Sequence, residues 1–69
     1  MQRKKDIVAK SLRMLRAEKG VSQKQVSKQT GMHAQTLCGY ERGYVEPPVS
    51  AAVALANYYG VTVEDLIKE

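Results

Sequence analysis

The side chains that commonly perform catalysis or bind metals are scarce in this sequence. It contains one histidine, His33, and one cysteine, Cys38. A zinc site of standard spacing needs three or four His, Cys or carboxylate ligands, and no third ligand stands at a suitable spacing. No glycine-rich phosphate loop is present, and no pair of carboxylates stands beside a nucleophile. The sequence therefore predicts no enzymatic activity, no metal site and no cofactor.

Charged side chains are more abundant, and they are unevenly distributed. The net charge is +4 at pH 7, from eleven Lys and Arg against seven Asp and Glu. Residues 1–42 carry ten of these cations and three of the acids, whereas residues 43–69 carry one cation and four acids. A basic half joined to an acidic half suggests one face turned towards a polyanion. The alternative is a solvated surface on which the charges happen to be unevenly distributed. Charge alone does not decide between these two interpretations.

Length and composition set limits on the class of protein. The 69 residues, 43% hydrophobic and 26% charged, are typical of one small globular domain. We expect residues 1–69 to form that domain, with residues 1–4 as a basic, flexible arm. No apolar run approaches the roughly 20 residues that span a bilayer, and no signal peptide is apparent. A single cysteine gives no disulfide framework, so we expect a reducing, cytoplasmic setting.

The first segment predicts an amphipathic helix. Its apolar stripe consists of Ile7, Val8, Leu12, Met14 and Leu15. The other faces should be solvated, and they carry Lys10, Arg13 and Lys19. Gly20 is a natural end for this helix.

The second segment has a complete start signal for a helix. Ser22 can cap the free backbone amides, and Gln25, three residues later, can reach back to the Ser22 amide. We expect this helix to run from Gln23 to about Thr30.

Three further helix starts follow along the chain. His33 occupies the cap of a third helix, and because His is a poorer cap than Ser or Asp, this start should be weaker. Thr62 and Asp65 can cap a fifth helix. The proline pair 47–48 opens a fourth, whose inner face reads Val49, Ala52, Val53, Ala56 and Tyr59. No segment shows the alternation of a strand. The sequence therefore predicts an all-α fold, a compact bundle of five short helices.

The second and third helices have the spacing of a helix-turn-helix, with Gly31 in the turn. An α-helix fits the major groove of DNA, and side chains near its N-terminal end reach base edges. Gln35 is the best candidate base reader because its carboxamide can pair with N6 and N7 of adenine. The alternative is a solvated helix residue.

Neighbouring side chains could add to such an interface. Thr36 either touches a base methyl group or bonds back to its own helix. Lys24 and Lys28 lie on the second helix, which crosses the DNA backbone in this motif, so phosphate contact is expected of both.

A set of short motifs stands at defined spacings along the chain: Leu12-Arg13-Met14-Leu15-Arg16, Gly20-Val21-Ser22-Gln23, Gly31, Glu41-Arg42-Gly43, Pro47, Leu55-Ala56 and Gly60-Val61-Thr62. From about Val8 to Leu66 this pattern resembles the Cro/CI-like (XRE-type) helix-turn-helix family. The resemblance implies a lambda-repressor-like bundle of five helices that binds double-stranded DNA, usually as a homodimer on a palindromic operator.

The resemblance also implies roles for individual residues. Base reading is implied for His33, Ala34, Gln35 and Gly39. Phosphate contact is implied for Gln23, Arg42 and Tyr44. An ion pair that ties the first helix to the end of the third is implied for Arg16 and Glu41. Three positions depart from the family pattern: His33 replaces a small hydroxyl cap, Gly39 offers no side chain to a base, and Pro48 stands where the family often caps with Ser.

The sequence thus predicts a sequence-specific DNA-binding regulator of transcription, a repressor or autoregulator that acts as a homodimer. The dimer surface is expected in the acidic half, among Tyr58, Tyr59, Val63 and Ile67. The alternative is a protein-interaction module, such as an antitoxin or adaptor, on the same scaffold.

A few residues outside the predicted interface also lead to expectations. The basic residues Arg3, Lys4 and Lys5 either follow a DNA groove or form a disordered terminus. Tyr40, three residues after Leu37, should belong to the core, and Cys38 should be a small filler at the helix surface.

Overall fold

The computed structural model describes residues 3–68 of the chain. Its helices are α1 (Lys4–Lys19), α2 (Gln23–Thr30), α3 (Ala34–Arg42), α4 (Val49–Tyr59) and α5 (Val63–Ile67). No β-strand occurs within residues 3–68. The predicted all-α fold of five helices is confirmed, and α2 has the bounds that its start and stop signals predict.

Side-chain caps explain where α2 and α5 begin. Ser22 Oγ accepts a hydrogen bond from the Gln25 amide at 3.1 Å, and Gln25 Oε1 accepts one from the Ser22 amide at 2.9 Å. Thr62 and Asp65 form the same reciprocal pair at 3.1 Å in both directions. The hydrogen bond from the Thr62 amide lowers the pKa of Asp65. His33, by contrast, makes no side-chain hydrogen bond at the start of α3.

The apolar side of α1 is narrower than predicted. Val8, Ala9 and Leu12 are buried and Leu15 is half-buried. Met14 is 54% exposed, so the prediction that it joins the stripe is wrong. A helix of 3.6 residues per turn rotates about 200° between Leu12 and Met14, which turns Met14 away from the core.

The N-terminal residues also differ from the flexible arm that we expected. Arg3 is the N-cap of α1, and Lys4 and Lys5 form its first turn. Residues 1 and 2, the rest of the predicted arm, lie outside the described residues.

The buried face of α4 is centred on different residues from those predicted. Leu55 and Ala56 are buried, whereas Val49 is 79% and Val53 41% exposed. Placing both valines on the inner face was therefore wrong. Nearly every residue of α4 is apolar, so its sequence does not distinguish one face from another, and packing against neighbouring helices makes the choice.

The core takes side chains from all five helices. α1 packs against α3, α4 and α5, and α2 packs against α3 and α4. The cluster of buried residues consists of Val8, Leu12, Val26, Leu37, Tyr40, Leu55, Ala56 and Leu66. Tyr40 is thus a core residue, as predicted. Packing on α1 and α2 leaves one long side of α3 free.

Candidate nucleic-acid interface

The free side of α3 carries several of the predicted base readers. Leu37, Tyr40 and Glu41 point inward, so the opposite face of the helix, at spacings of four and three residues, consists of Gln35, Gly39 and Arg42. The N-terminal part of this surface is an open depression lined by His33, Ala34, Gln35 and Thr36. All four of these residues are exposed.

The start of α3 leaves its first backbone amides without a side-chain partner. His33 is exposed and makes no cap hydrogen bond. Unpaired amides at a helix N-terminus and the positive end of its dipole favour contact with anions such as phosphate. This end of α3 also carries Gln35, so phosphate contact and base reading can occur side by side.

The second helix of the motif, α2, carries two predicted phosphate-contacting lysines. Lys24 and Lys28 are both exposed and lie four residues apart, on one side of a helix that packs against α3. Lys28 also lines a groove together with Lys19 and Tyr58, whereas Lys24 is not part of that groove.

The other end of α3 carries Arg42 and Tyr44. Both side chains are exposed, and Arg42 Nη1 donates a hydrogen bond to the Tyr44 hydroxyl at 3.5 Å. This bond raises the pKa of Arg42. The backbone amide of Tyr44 donates to the Gly39 carbonyl at 3.0 Å and fixes the loop on the end of α3. The predicted phosphate-binding pair therefore occupies one exposed site.

Behind α3 lies a buried polar cluster centred on Glu41. Glu41 is 5% exposed, and Arg16 Nε contacts its two carboxylate oxygens at 3.0 and 2.9 Å. Arg16 Nη1 also donates to the Val21 carbonyl at 3.0 Å. This is the geometry of the ion pair that the family resemblance implies, and it ties α1 and the turn before α2 to the end of α3.

Two further side chains join this cluster. Gln23 Nε2 donates to Glu41 Oε1 at 3.2 Å, so one hydrogen of its amide faces inward and the other is available to a phosphate. Arg13 Nη1 donates to the backbone carbonyl of Glu41. Arg13 is exposed, as predicted, but this hydrogen bond was not predicted. The one sequence signal for this contact was the three-residue spacing between Arg13 and Arg16. The partner could not be predicted because Glu41 lies 28 residues away in the sequence.

Hydrogen bonding in the described part of the chain leaves no buried side-chain nitrogen or oxygen atom without a partner. The cost of burying the Glu41 charge is thus offset by Arg16 and Gln23. The cluster holds α3 from behind and leaves its outer face to a ligand.

The remaining residues of α3 lie between these two sides. Cys38 is a half-buried free thiol. Gly39 is half-buried as well, because Val45 from the loop after α3 lies over it.

The residues predicted to form a dimer surface do not share one groove. The rings of Tyr58 and Tyr59 meet edge to face, with centroids 4.9 Å apart. The centroid of the Tyr58 ring also lies 5.1 Å from Nζ of Lys19, which is exposed, as predicted. Burial, aided by the nearby Glu41 charge, raises the pKa of Tyr59 to about 12. Val63 and Ile67 line a separate groove with apolar walls.

Two other kinds of site were sought in residues 3–68. No group of three or more His, Cys, Asp or Glu residues there is placed to hold a metal ion. None of the helices in this range combines the length and the apolar character that crossing a membrane requires.

Comparisons with known proteins find helix-turn-helix transcription regulators. A helix-turn-helix family model matches residues 12–66. The chain is 31% identical over 58 residues to the cryptic phage CTXphi transcriptional repressor RstR of Vibrio cholerae, which covers 84% of this chain and 52% of the repressor. It is also 31% identical over 55 residues to an HTH-type transcriptional regulator of Methanocaldococcus jannaschii, which covers 80% of this chain and 83% of that regulator.

Similarity extends to a solved structure. The hypothetical transcription factor NHTF from Neisseria superposes with a TM-score of 0.90 and 25% sequence identity, over 97% of this chain and 77% of that one. The match to the Vibrio repressor spans about half of that protein's length. The family resemblance inferred from the sequence is confirmed: this chain belongs to the Cro/CI-like (XRE-type) helix-turn-helix family of DNA-binding transcription regulators.

Proposed function

We propose that this chain is a sequence-specific repressor or autoregulator of transcription that acts in the cytoplasm, as a homodimer on a palindromic operator. One observation carries the proposal: the outer face of α3 carries exposed polar side chains, while its inner face is fixed by Glu41 and the core. A rigid helix with a free polar face suits insertion into the major groove. The name of the Vibrio relative, a phage transcriptional repressor, supports repression.

Base reading is assigned to the N-terminal half of α3. Gln35 pairs its carboxamide with adenine, and His33, Ala34 and Thr36 contact neighbouring groups. Gly39 lies one turn further along the same face.

Phosphate binding is assigned to both sides of that helix. Lys24, Lys28 and Gln23 on α2 contact one stretch of backbone, and Arg42 and Tyr44 contact another. These contacts supply most of the affinity and its salt dependence but no sequence information.

The dimer is proposed because it would match the two-fold symmetry of a palindromic operator, with half-sites about 34 Å apart. A surface for it is offered by the groove between α4 and α5. Val49 is 79% and Ile67 38% exposed there, beside Val63 and the proline pair 47–48. This assignment keeps two residues of the predicted dimer surface and leaves out the two tyrosines.

The same exposed valine and isoleucine also favour the alternative function, a protein-interaction module. Sedimentation of the free chain and of its complex with operator DNA separates the two. A monomer in both states would contradict the dimer. A chain with no preference among DNA sequences would leave protein binding as the better explanation of the apolar groove.

The experiment that tests the proposal measures Gln35→Ala against operator DNA, which is first selected from random duplexes. We expect a loss of about 1–3 kcal/mol on the selected site and little change on random DNA. Gln29→Ala is the matched control, since Gln29 is also an exposed helical glutamine but lies on α2. Equal losses on both DNAs would remove Gln35 from base reading.

A second pair of variants tests the phosphate contacts. Lys24→Gln should weaken binding to all sequences and reduce the slope of log K against log salt by about one. Lys10→Gln on α1, also exposed, should leave that slope unchanged. An unchanged slope in both variants would exclude Lys24 from the interface.

A further inference from the structure

An apolar spot interrupts the polar outer face of α3. Gly39 lies one turn after Gln35 on that face, and Val45 covers part of it from the loop that follows the helix. A methyl group added at Gly39 would lie 3.8 Å from Val45 Cγ2 and would meet no other atom within 4 Å outside its own helix. Val45 is itself 54% exposed. Bare backbone and valine methyl groups thus form one shallow apolar notch, open to solvent.

The fold does not require glycine at position 39. Gly39 is absent from the residues with positive φ, unlike Gly43, so its helical backbone suits any ordinary residue. A distance of 3.8 Å to Val45 is ordinary van der Waals contact. Alanine would fit there and would favour the helix. Glycine is thus not required by the fold here, and its lack of a side chain leaves the helix backbone open to the close approach of a ligand.

Two backbone hydrogen bonds fix the loop before Val45 on the end of α3, the helix that carries the base-reading residues. The Tyr44 amide donates to the Gly39 carbonyl at 3.0 Å, and the Gly43 amide donates to the Tyr40 carbonyl at 3.3 Å. These two hydrogen bonds close the end of α3 as a Schellman motif. Val45 follows directly, so its side chain has a defined position one helical turn from Gln35.

We propose that Val45 is a specificity-determining residue, and that its methyl groups and the bare backbone at Gly39 receive the 5-methyl group of a thymine. The inference rests on the proposed function, because it needs α3 in the major groove. The thymine methyl is the one apolar group that base edges present in that groove. A thymine next to the base read by Gln35 would place its methyl group in the notch.

The test replaces thymine by uracil, which differs only by that methyl group. Operator duplexes are selected from random DNA, and each thymine of a half-site is replaced singly by deoxyuridine. For the unmodified protein we expect one position per half-site at which the replacement weakens binding about three- to fivefold, the effect of losing one buried methyl group. In Val45→Ala the same replacement should change binding by less than about 1.5-fold.

Two further variants sharpen the result. Gly39→Ala should raise the melting temperature and yet weaken binding to the thymine-containing site, because its methyl group fills the notch. Val53→Ala is the matched control: Val53 is 41% exposed, but it lies on α4, and uracil sensitivity should persist in it. Circular dichroism establishes that each variant is folded.

The outcomes separate this inference from the proposed function. Absence of any sequence-specific binding would overturn both. Specific binding with no recurrent thymine, or with the same uracil effect in the unmodified protein and in Val45→Ala, would overturn the role of Val45 alone. Weaker binding by Val45→Ala without uracil sensitivity would indicate a contact with deoxyribose and would likewise refute the thymine notch.

Discussion

Removing the charge of Glu41 should destabilise the protein, because this carboxylate is buried where α1 and α2 meet the end of α3. The change Glu41→Gln keeps the shape of the side chain. It replaces two charged oxygens, at 2.9 and 3.0 Å from Arg16 Nε, by one neutral oxygen and an amide group. The amide group brings a donor towards Arg16, which has no acceptor to offer.

The expected magnitude follows from the exposure of the two partners. Hydrogen bonds to charged groups contribute about 1.5–3 kcal/mol, and breaking a fully buried pair costs about 3–5 kcal/mol. The Arg16 side chain is 28% exposed and the Glu41 side chain 7%. Arg16 can therefore regain water when Glu41 is neutral, and we expect Glu41→Gln to cost about 2–3 kcal/mol. A protein of this size has a total stability of about 3–10 kcal/mol.

The converse change should cost more. Arg16→Met leaves the carboxylate buried, with the Gln23 amide at 3.2 Å as its remaining side-chain donor. We expect a loss of about 3–5 kcal/mol, since an unpaired anion is left at the less exposed position.

Urea unfolding at pH 7, followed by circular dichroism, measures both losses. The dependence of stability on urea should not change, because the surface exposed on unfolding stays the same. Glu18→Gln, on the exposed side of α1, should stay within about 0.5 kcal/mol of the unmodified protein. A similarly small effect of Glu41→Gln would refute the reasoning, as would an Arg16→Met variant more stable than Glu41→Gln.

Three further predictions concern local features. Gly43→Ala should destabilise more than Gly20→Ala in thermal melting: both residues have a φ above +70°, where alanine costs about 1–2 kcal/mol, but only at Gly43 would the new Cβ lie 2.9 Å from Asp6 Oδ1. Equal losses would mean that Asp6 moves aside freely. His33→Ser should stabilise the free protein by about 0.5–1 kcal/mol, because serine supplies the cap that His33 does not form; an unchanged melting temperature would contradict this. Tyr59→Phe should reduce the loss of stability between about pH 10 and 12. Burial raises the pKa of Tyr59 from 10.0 to about 12, so the unfolded chain loses its proton first and stability falls as the pH rises through this window. If Tyr59 had no part in this pH dependence, urea unfolding at pH 8 and pH 11 would show the same loss of stability in Tyr59→Phe and in the unmodified protein.

Local signals in the sequence were sufficient to predict the helices. The reciprocal caps of Ser22 with Gln25 and of Thr62 with Asp65 depend on residues three apart, so they can be read directly from the chain. The same holds for the start of α3 at His33 and for its inward-facing Tyr40. Gln35 could be placed on the outer face of α3 because helical periodicity fixes its position relative to Leu37.

Long-range contacts could not be predicted in the same way. The Arg13 hydrogen bond to Glu41 joins residues 28 apart, and the Gln23 hydrogen bond to Glu41 joins residues 18 apart. Family resemblance supplied the Arg16 partner of Glu41, but no spacing rule supplied the other two. The contact between Val45 and Gly39 depends on how the loop closes the end of α3, which sequence periodicity does not describe.

The sequence by itself determined the helices, their caps and the outward side of α3, since these features depend on neighbours within one or two turns. Tertiary structure alone decided which apolar residues are buried in the core. Met14, Val49 and Val53 are as apolar as the core residues, yet they are exposed. It also placed Tyr58 and Ile67 in separate grooves. The physical reason is that burial depends on the partner surface brought by a distant helix, and an apolar side chain does not specify that partner.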